Sequence, residues 1–447
     1  MQNTIVIQLP EKVNFIIDTI MKAGYEAYAV GGCIRDVILG RTPDDWDITT
    51  SAKPQQVKAL FDRTIDTGIQ HGTVTVMLDK EGFEVTTYRI DGEYEDSRHP
   101  KEVIFTANLL EDLKRRDFTI NAMAYNNQSG LVDAFEGLVD IKRRVIRCVG
   151  DPMQRFGEDA LRMMRAVRFS AQLGYEIDIK TLEAMKKLAP SLIRVSAERI
   201  QTELVKLLVS AHPEKLRIAY ETEITKVILP EFDACMETQQ NNPHHCYSVG
   251  EHTLKAMQEI RQDRILRLAM LFHDIGKPRT LTIDVEGIVH FHGHPDVSEK
   301  ITRDILKRLK FDNDTIYMVT NLVKYHDYDV EPVPKHVRRA ILKAGEDIFP
   351  LLFEVKQADI KAQSSYMRME KEKRLAAVRQ VYGEIIAQKQ CISLKMLAVT
   401  GKDLMKEMGV QPGPEIGVML RKLLDYVIED PSRNEREILL KVAKEFQ

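Results

Sequence analysis

Strand-like patterns are confined to the first part of the chain, and this restriction limits its possible folds more than any other feature. "TVTVML" (73–78) and "FEVTTYRI" (83–90) alternate like half-buried strands, and "EAYAV" (26–30) is a short apolar strand. From about residue 152 apolar residues recur three and four apart, as in "EDALRMMRAVRFSAQLG" (158–174). The sequence therefore predicts an α+β fold, with a small α/β head followed by a long all-α remainder.

The length of 447 residues predicts several domains rather than one. The change of pattern places the head at 1–145, with a palm-like sheet, and a helical neck at 146–235. Histidines concentrate in the next helical segment, 236–370, and a helical tail covers 371–447.

Charge and cysteine usage exclude several classes of protein. The formal net charge of −3 gives no global signal for nucleic acid, so any contact with a polynucleotide must come from local basic patches. Five scattered cysteines without a C-x-x-C pair indicate reduced thiols and a cytoplasmic location. No signal peptide begins the chain, and no apolar run approaches the ~18 residues of a membrane span, so we expect no membrane association.

Two short basic runs are the local candidates for contact with a polynucleotide. Their cationic side chains are Lys142, Arg143, Arg144 and Arg147 in the first run, and Arg338, Arg339 and Lys343 in the second. Such runs are as often solvated surfaces as phosphate-binding patches, and both interpretations stay open here.

The stretch "AVGGCIRDVILGRTPDDWDIT" (29–49) carries the strongest chemical signal. Asp45 and Asp47 lie two residues apart, so in a strand their carboxylates project from one face, where they repel unless a hard divalent cation such as Mg²⁺ lies between them. Upstream, Gly31 and Gly32 form a turn that lets a ligand approach the backbone closely, and Arg35 follows within reach of a phosphate. Together these parts suit phosphoryl or nucleotidyl transfer.

Further polar residues extend this site. Glu84, on an alternating strand, is the candidate for a third carboxylate, and an outward-facing surface position is an equally good interpretation. "EDALRMMRAVRF" predicts one helix in which Glu158, Arg162 and Arg165 share a polar stripe.

Asp159 and Arg162 have complementary hydrogen-bonding properties, because a carboxylate accepts and a guanidinium donates. Cytosine and adenine each present an amino donor beside a ring-nitrogen acceptor, whereas guanine and uracil present a carbonyl beside an N–H. The pair therefore predicts selection of C and A over G and U. A surface salt bridge is the alternative interpretation.

Six motifs in order resemble the class II tRNA nucleotidyltransferases, which comprise the CCA-adding enzymes and the bacterial poly(A) polymerases, in the DNA polymerase beta superfamily. They are "VGGCIRDVILG", "DDWDITTSA", "TGIQHGTVTV", "RRDFTINAMAY", "RVIRCVGDPMQRFGEDALRMMRAVRF" and "RVSAERIQTEL". The resemblance implies a DNA polymerase beta-like head and template-independent addition of nucleotides to RNA. "DGEYEDSRHPKEVIF" (91–105) resembles the flexible loop that CC-only enzymes lack, which favours addition of the final A.

The resemblance also implies roles for matching residues. Asp45 and Asp47 are expected to be catalytic and to bind Mg²⁺, and Glu158 is expected to hold Arg162 in position. Glu84, the candidate from the strand pattern, is the third expected catalytic carboxylate. The nucleotide-binding set is Gly31, Gly32, Arg35, Arg116, Asp117, Asn121, Glu158, Asp159, Arg162, Arg165 and Arg168. The helical tail is expected to recognise the acceptor/TΨC half of tRNA by its shape.

The histidine-rich segment resembles an HD-domain phosphohydrolase, in which a His, a His-Asp doublet and a distant Asp hold a metal. The resemblance implies as ligands His252, His273, Asp274 and Asp359, with His294 and His326 where two-metal HD proteins place extra ligands. Lys277 is expected to meet a substrate phosphate. The metal is either a divalent transition metal or Mg²⁺, and the expected reaction is phosphoester hydrolysis, with 2′,3′-cyclic phosphates at damaged tRNA ends as one substrate.

These observations predict an enzyme that adds CCA to the 3′ end of tRNA from CTP and ATP and releases pyrophosphate. Within the same family, a poly(A) polymerase and an enzyme that adds only CC or only A are the alternatives. From a different class, an HD phosphohydrolase whose head only binds RNA is the alternative. The sequence leaves the oligomeric state open.

Overall fold

A computed structural model of the chain describes residues 5–91, 103–241, 244, 246–409 and 411–446. The chain divides into two compact units, Met1–Pro230 and Glu231–Gln447. The predicted α+β fold is confirmed, because the first unit contains a large sheet and the second is mainly helical. The loop-like stretch expected to distinguish full CCA addition lies mostly outside the described residues, at 92–102.

A mixed seven-stranded sheet forms the centre of the first unit. The strands of the chain are β1 (Ala27–Val30), β2 (Ile48–Thr50), β3 (Thr64–Gly68), β4 (Thr73–Leu78), β5 (Glu81–Thr87), β6 (Arg89–Asp91), β7 (Val103–Phe105), β8 (Ala124–Asn126), β9 (Gly130–Val132), β10 (Val145–Ile146), β11 (Glu176–Ile177), β12 (Thr282–Ile283) and β13 (Val289–His290). The sheet order is β3-β4-β5-β2-β1-β8-β9, and β2 pairs with β5 in parallel, whereas the other neighbours pair antiparallel. In this parallel pair Ile48, the first residue of β2, lies opposite Val85, so the residues before β2 lie beside the first half of β5.

Helices cover the sheet and continue beyond it as the neck. They are α1 (Glu11–Lys22), α2 (Gly32–Ile38), α3 (Pro54–Leu60), α4 (Leu109–Lys114), α5 (Gly137–Arg143), α6 (Pro152–Glu158), α7 (Leu161–Leu173), α8 (Ile179–Leu188), α9 (Ala197–Leu208), α10 (Leu216–Glu221) and α11 (Ile224–Ile228). α1 buries Val13, Ile16, Ile17 and Ile20 at helical spacing, which is why this amphipathic segment folds onto the sheet.

The single helix predicted across "EDALRMMRAVRF" is wrong, because the chain breaks between α6 and α7. Asp159 has an extended backbone (φ −142°, ψ 104°), and its Oδ1 accepts a hydrogen bond from the Leu161 N–H at 3.0 Å. A side chain that bonds to the backbone two residues ahead competes with the helical pattern, which explains the break. Asp159 therefore sits at a junction between helices, while Arg162 lies in the first turn of α7.

The second unit is a bundle of helices with one small hairpin, formed by β12 and β13. Its helices are α12 (Pro230–Glu237), α13 (Val249–Glu259), α14 (Arg264–Phe272), α15 (Lys277–Thr280), α16 (His294–Arg308), α17 (Asn313–Tyr325), α18 (Pro334–Ala344), α19 (Phe349–Ala362), α20 (Arg368–Ala387), α21 (Gly401–Met408), α22 (Pro414–Glu429) and α23 (Arg436–Glu445). A separate apolar cluster, which includes Leu404, Leu423, Val427 and Leu439, joins the last three helices.

Arg338, one of the basic residues considered for polynucleotide contact, is buried within this unit. Its Nε donates to the Ile428 carbonyl at 2.9 Å and its Nη1 to Gln390 Oε1 at 2.7 Å. These bonds tie α18 to the end of α22, so Arg338 stabilises the fold rather than presenting a free cation.

Searched over its described residues, the chain has no helix of the length and apolarity that crossing a bilayer requires. Cys33, Cys148, Cys235, Cys246 and Cys391 are all free thiols, as their scattered positions predict.

Candidate active site and histidine cluster

Asp45 and Asp47 lie immediately before the central strand β2, and Glu84 lies on the neighbouring strand β5. Asp45 and Asp47 precede the strand instead of lying within it, which differs from the predicted placement. The Asp47 carbonyl nevertheless accepts a hydrogen bond from the Val30 N–H at 3.0 Å, so this segment is already aligned with β1. The pairing Ile48↔Val85 places Glu84 beside Asp47 when the parallel register is extended by one residue.

Mutual repulsion among these carboxylates is visible in the electrostatics. The pKa of the Asp47 carboxyl is raised by desolvation and then by the charges of Asp45 and Glu84, while Arg116 opposes the rise. Asp45, Asp47 and Glu84 all keep access to solvent. Three accessible carboxylates, two of which raise the pKa of the third, fit a hard divalent cation such as Mg²⁺.

The glycine turn is shaped by a backbone that other residues rarely adopt. Gly31 has φ +88°, and a Cβ there would lie 2.9 Å from Arg116 Nη1. The Gly31 N–H, however, donates to the Met123 carbonyl at 3.0 Å. This N–H is therefore already bonded within the protein and is not free to bind a ligand. Gly31 instead allows Arg116 to approach the backbone, and Gly32 starts the short helix α2 that carries Arg35.

A chain of hydrogen bonds joins the residues expected to bind the nucleotide. Arg35 Nη1 donates to Asn121 Oδ1 at 2.7 Å, and Asn121 Nδ2 donates to Asp117 Oδ1 at 3.3 Å. Asp117 Oδ2 accepts a hydrogen bond from Arg165 Nε at 2.7 Å. Although burial alone raises the pKa of the Asp117 carboxyl, Arg165 and Arg162 lower it to about 2, so this carboxylate stays ionised and holds the network together.

Three guanidinium groups gather around one aromatic ring next to this network. Arg35, Arg165 and Arg168 lie 5.1, 5.4 and 4.0 Å from the centroid of Phe169. Arg168 Nε also donates to Glu203 Oε2 at 2.6 Å. Each of the three guanidinium groups also pairs with a carboxylate, of Asp36, Asp117 or Glu203, so the ring and the ion pairs together fix their positions.

The two residues predicted to select the base are each held by a partner of opposite charge. Arg162 Nη1 donates to Glu158 Oε2 at 2.6 Å, and its Nη2 donates to the Arg115 carbonyl at 3.0 Å. Asp159 accepts two hydrogen bonds from Arg199, at 3.2 and 2.7 Å. The Arg162 donors and the Asp159 acceptors are thus both held in place by partners within the protein.

In the second unit, all six residues predicted as HD ligands come together in a buried group, here called the histidine cluster. Its members are His252, His273, Asp274, His294, His326 and Asp359. Two triads have donor atoms within 4.8 Å of one another, and Asp274 belongs to both of them. Asp274 Oδ2 lies 3.2 Å from His273 Nε2, and Oδ1 lies 3.3 Å from His294 Nε2, so each oxygen faces one triad.

Backbone carbonyls fix the orientation of three imidazoles in the cluster. The Nδ1 atoms of His273, His294 and His326 lie 2.7, 2.9 and 2.7 Å from the carbonyls of Met270, Phe291 and Val323. A carbonyl accepts the Nδ1–H, which leaves the Nε2 lone pair directed into the cluster, and this is the state required for binding a metal.

The cluster also contains close contacts between imidazole nitrogens that a bound cation would relieve. His252 Nε2 lies 3.3 Å from His273 Nε2, and His294 Nε2 lies 3.2 Å from His326 Nε2. Burial by itself raises the pKa of Asp274, but His273 and Lys277 hold it well below its usual value, so the carboxylate is ionised. Converging nitrogen lone pairs around ionised carboxylates fit a divalent ion in each triad.

Lys277, predicted to meet a substrate phosphate, is engaged within the protein. Its Nζ donates to Asp274 Oδ2 at 2.7 Å and to Gln240 Oε1 at 2.9 Å. In this arrangement it neutralises part of the charge of Asp274.

Comparison with known proteins identifies the family. The family model described as "Poly A polymerase head domain" matches residues 27–147, "Probable RNA and SrmB- binding site of polymerase A" matches 174–236, and "tRNA nucleotidyltransferase domain 2 putative" matches 280–443. The CCA-adding enzyme of Levilactobacillus brevis is 36% identical over 438 residues, which cover 97% of this chain and 98% of that protein. The chain belongs to the CCA-adding enzyme family. The predicted family and the predicted nucleotidyltransferase activity are therefore confirmed.

Two further similarities support this membership. The CCA-adding enzyme of Limosilactobacillus reuteri is 34% identical over 451 residues, 98% of each chain. The crystal structure of the Bacillus stearothermophilus CCA-adding enzyme in complex with CTP has a TM-score of 0.71 and 28% identity, with 98% of each chain covered. The similarity of this CCA-adding family member to its relatives thus runs the full length, including the histidine-rich part.

Arg199 is the residue of this site that sequence reasoning missed. It lies at the start of α9, inside the motif "RVSAERIQTEL", and no pattern in the sequence links it to Asp159 forty residues earlier. The only sequence indication of a role was that Arg199 lies within a motif that resembles this CCA-adding family. Its partner, Asp159, is seen only in the folded structure.

Proposed function

We propose that this chain adds cytidine, cytidine and adenosine in turn to the 3′ end of tRNA, from CTP and ATP, with release of pyrophosphate. The observation that carries the proposal is the connection between the carboxylates Asp45, Asp47 and Glu84 and the base-selecting pair, Asp159 and Arg162. Arg116 interacts with Asp47, and the carbonyl of the preceding residue, Arg115, holds Arg162. The segment 115–117 thus connects the proposed metal-binding carboxylates to the proposed base-binding residues within one unit.

Each residue of the head has a separate task in the reaction. Asp45, Asp47 and Glu84 would hold Mg²⁺, which would neutralise charge on the triphosphate and activate the attacking hydroxyl. The 3′-oxygen of tRNA bonds to the α-phosphorus and releases its proton to solvent, while the bond from that phosphorus to pyrophosphate breaks. Arg35, Arg165 and Arg168 orient the triphosphate.

Asp159 and Arg162 would serve as the template for the base. The Asp159 carboxylate accepts from the amino group of cytosine or adenine, and the Arg162 guanidinium donates to the ring nitrogen beside it. Guanine and uracil bring a carbonyl towards a carboxylate, and this repulsion excludes them.

The direct test is addition to tRNA that ends at the discriminator base, with Mg²⁺ and each nucleoside triphosphate supplied separately. We expect CTP alone to lengthen the RNA by two residues, CTP with ATP to complete CCA, and UTP or GTP to give no product on a sequencing gel. Addition of ATP in a long tract indicates a poly(A) polymerase, whereas addition that stops after CC or that requires a CC end indicates a partial enzyme.

We propose a second activity for the histidine cluster, the metal-dependent hydrolysis of phosphate esters, including 2′,3′-cyclic phosphates at RNA ends. The two triads that share Asp274 support a divalent ion in each, and such ions supply an activated water. Hydrolysis bonds the water oxygen to phosphorus, breaks the phosphorus–oxygen ester bond and transfers a proton to the leaving alcohol. We also propose that the protein is cytoplasmic, because its five cysteines are free thiols, as in a reducing compartment.

Metal content tests this second activity independently of nucleotide addition. We expect the full chain to carry divalent ions by mass spectrometry of its metals, and Asp274→Asn to lose most of them, because Asp274 belongs to both triads. His336→Ala is the matched control, since His336 lies on α18 and pairs with Glu331 outside the cluster. A chain with Asp45→Asn and Asp47→Asn that carries no metal and hydrolyses no phosphate ester would contradict the proposal.

A further inference from the structure

A cavity of about 240 Å³ adjoins the histidine cluster and shares His326 and Asp359 with it. Two of its walls come from α19 and α20, which pack against each other. At one end of this helix pair, Lys371 Nζ donates to Gln363 Oε1 at 2.5 Å, and at the other end the rings of Tyr382 and Phe349 lie 5.6 Å apart. The two helices are therefore antiparallel along the cavity.

The α19 wall changes from apolar to charged along its length. Phe349, Phe353, Lys356 and Asp359 line the cavity at spacings of three and four residues, so they share one face of the helix. Phe353 and Asp359 are separated by roughly 9 Å along the axis, from the rise of about 1.5 Å per residue. A ligand along this wall meets aromatic rings at one end and the histidine cluster at the other.

The α20 wall repeats this gradient from the opposite side. Lys371 and Arg374 line the charged end and Val378 lines the apolar end. Phe349 and Phe353 line the apolar end, and Tyr382 packs behind them, with the three ring centroids 5.4 to 5.6 Å apart. Because both walls share this polarity, the cavity is amphipathic.

The three cations at the polar end differ in whether they have a close partner. Arg374 pairs with Asp329 at 2.8 Å, and Lys371 bonds to Gln363 and lies 3.1 Å from His244. For Lys356, by contrast, no carboxylate in the described part of the chain lies within 4.0 Å of the ammonium.

Lys356 is also desolvated. Burial lowers the pKa of its ammonium, against the opposing fields of Asp327, Asp359 and Asp329. Three cations and three carboxylates line the cavity, so a divalent ion on Asp359 makes the local balance positive. A desolvated ammonium of this kind is stabilised by an anionic ligand.

We propose that this cavity binds a small phosphate ester with an aromatic or apolar alcohol group, placing the anion at Lys356 and the alcohol between Phe353 and Val378. The proposal rests on the hydrolysis proposed for the histidine cluster and narrows its substrates. The volume is below the 300–1,000 Å³ typical of pockets for larger ligands, so the alcohol is compact: a free small molecule or one terminal residue of a polymer.

Binding of two hydrolysis-resistant probes to the full-length, metal-loaded chain tests this. By isothermal titration calorimetry we expect phenylphosphonate to bind about tenfold or more tightly than methylphosphonate, because its ring is buried at the apolar end. Lys356→Gln is expected to weaken phenylphosphonate about tenfold, and Lys356→Arg to restore most of the affinity. Lys361→Gln is the matched control, because Lys361 lies on the same helix and pairs with Glu259.

The outcomes separate this proposal from the one on which it rests. Equal binding of the two probes, or unchanged binding in Lys356→Gln, overturns the assignment of the cavity even if phosphate esters are hydrolysed. Tighter binding of phenylphosphonate that depends on Lys356 supports the cavity even if hydrolysis is absent. Circular dichroism of each variant shows whether a loss of binding reflects a loss of fold.

To separate the two sources of ligand, an RNA oligonucleotide with a terminal 3′-phosphate competes with phenylphosphonate in the same assay. Displacement indicates that a polymer end enters, and absence of displacement restricts the ligand to free small molecules.

Discussion

Replacement of Asp47 by Asn is expected to abolish nucleotide addition while leaving the fold intact. The stabilisation of transition-state charge by a bound metal contributes several kcal/mol, and about 1.4 kcal/mol corresponds to a factor of ten in rate. We therefore expect kcat for CTP incorporation to fall by at least about 100-fold. Single-turnover extension of tRNA with radiolabelled CTP measures this loss directly.

The thermal stability of the Asp47→Asn chain distinguishes a metal ligand from a structural carboxylate. The pKa of Asp47 is raised in the fold, first by desolvation and then by Asp45 and Glu84, so its ionised form opposes folding at neutral pH. Removal of this charge is expected to leave the melting temperature unchanged or slightly higher. Asp44→Asn is the matched control, since Asp44 is exposed and adjacent, and full activity is expected there. A lowered melting temperature together with lost activity in Asp47→Asn would show that Asp47 supports the fold instead.

The sequence predicted the architecture well because its patterns are local. The alternating segment at 73–78 became β4, the segment at 83–90 is divided between β5 and β6, and the apolar stripe of α1 gave its buried face. The six histidine-cluster residues were also predicted, since each lies in a motif whose order along the chain is itself informative. What local pattern could not predict was the helix break at Asp159, because there a side-chain hydrogen bond outweighs a continuous helical period.

Pairings across long sequence separations were also beyond local pattern. Arg199 reaches Asp159 from another helix, and Lys277 turns towards Asp274 and Gln240 instead of facing an open site. Both arrangements depend on how helices pack, and the identity of an arginine or a lysine does not reveal its partner. The Gly31 turn shows the same limit, because its N–H is taken by Met123 from a distant segment.

Changes to Asp159 or Arg162, the proposed base-selecting pair, are expected to alter both which nucleotide is added and the rate of addition. Arg162→Ala removes the donor, while Glu158 keeps a partner in Arg155, so the surrounding structure is retained. A well-placed pair of hydrogen bonds discriminates between bases by about 1–3 kcal/mol. We therefore expect kcat/KM for CTP and ATP to fall by about 10- to 100-fold, with a smaller change for UTP and GTP.

Arg199 tests whether the acceptor half of the pair depends on its own partner. Arg199→Gln leaves the Asp159 carboxylate without its bidentate hydrogen bonds, and about a tenfold loss of preference for CTP over UTP is expected. Arg199→Lys keeps the charge and is expected to recover part of that preference, whereas Arg194→Gln, at an exposed site before α9, is expected to have no effect. Competition between the four triphosphates for one tRNA measures the ratio. An equal loss of activity with all four nucleoside triphosphates in Arg199→Gln would mean that Arg199 only supports the fold. A change in the orientation of Asp159 affects the choice of base, whereas a general loosening of the neck lowers the addition of every nucleotide alike.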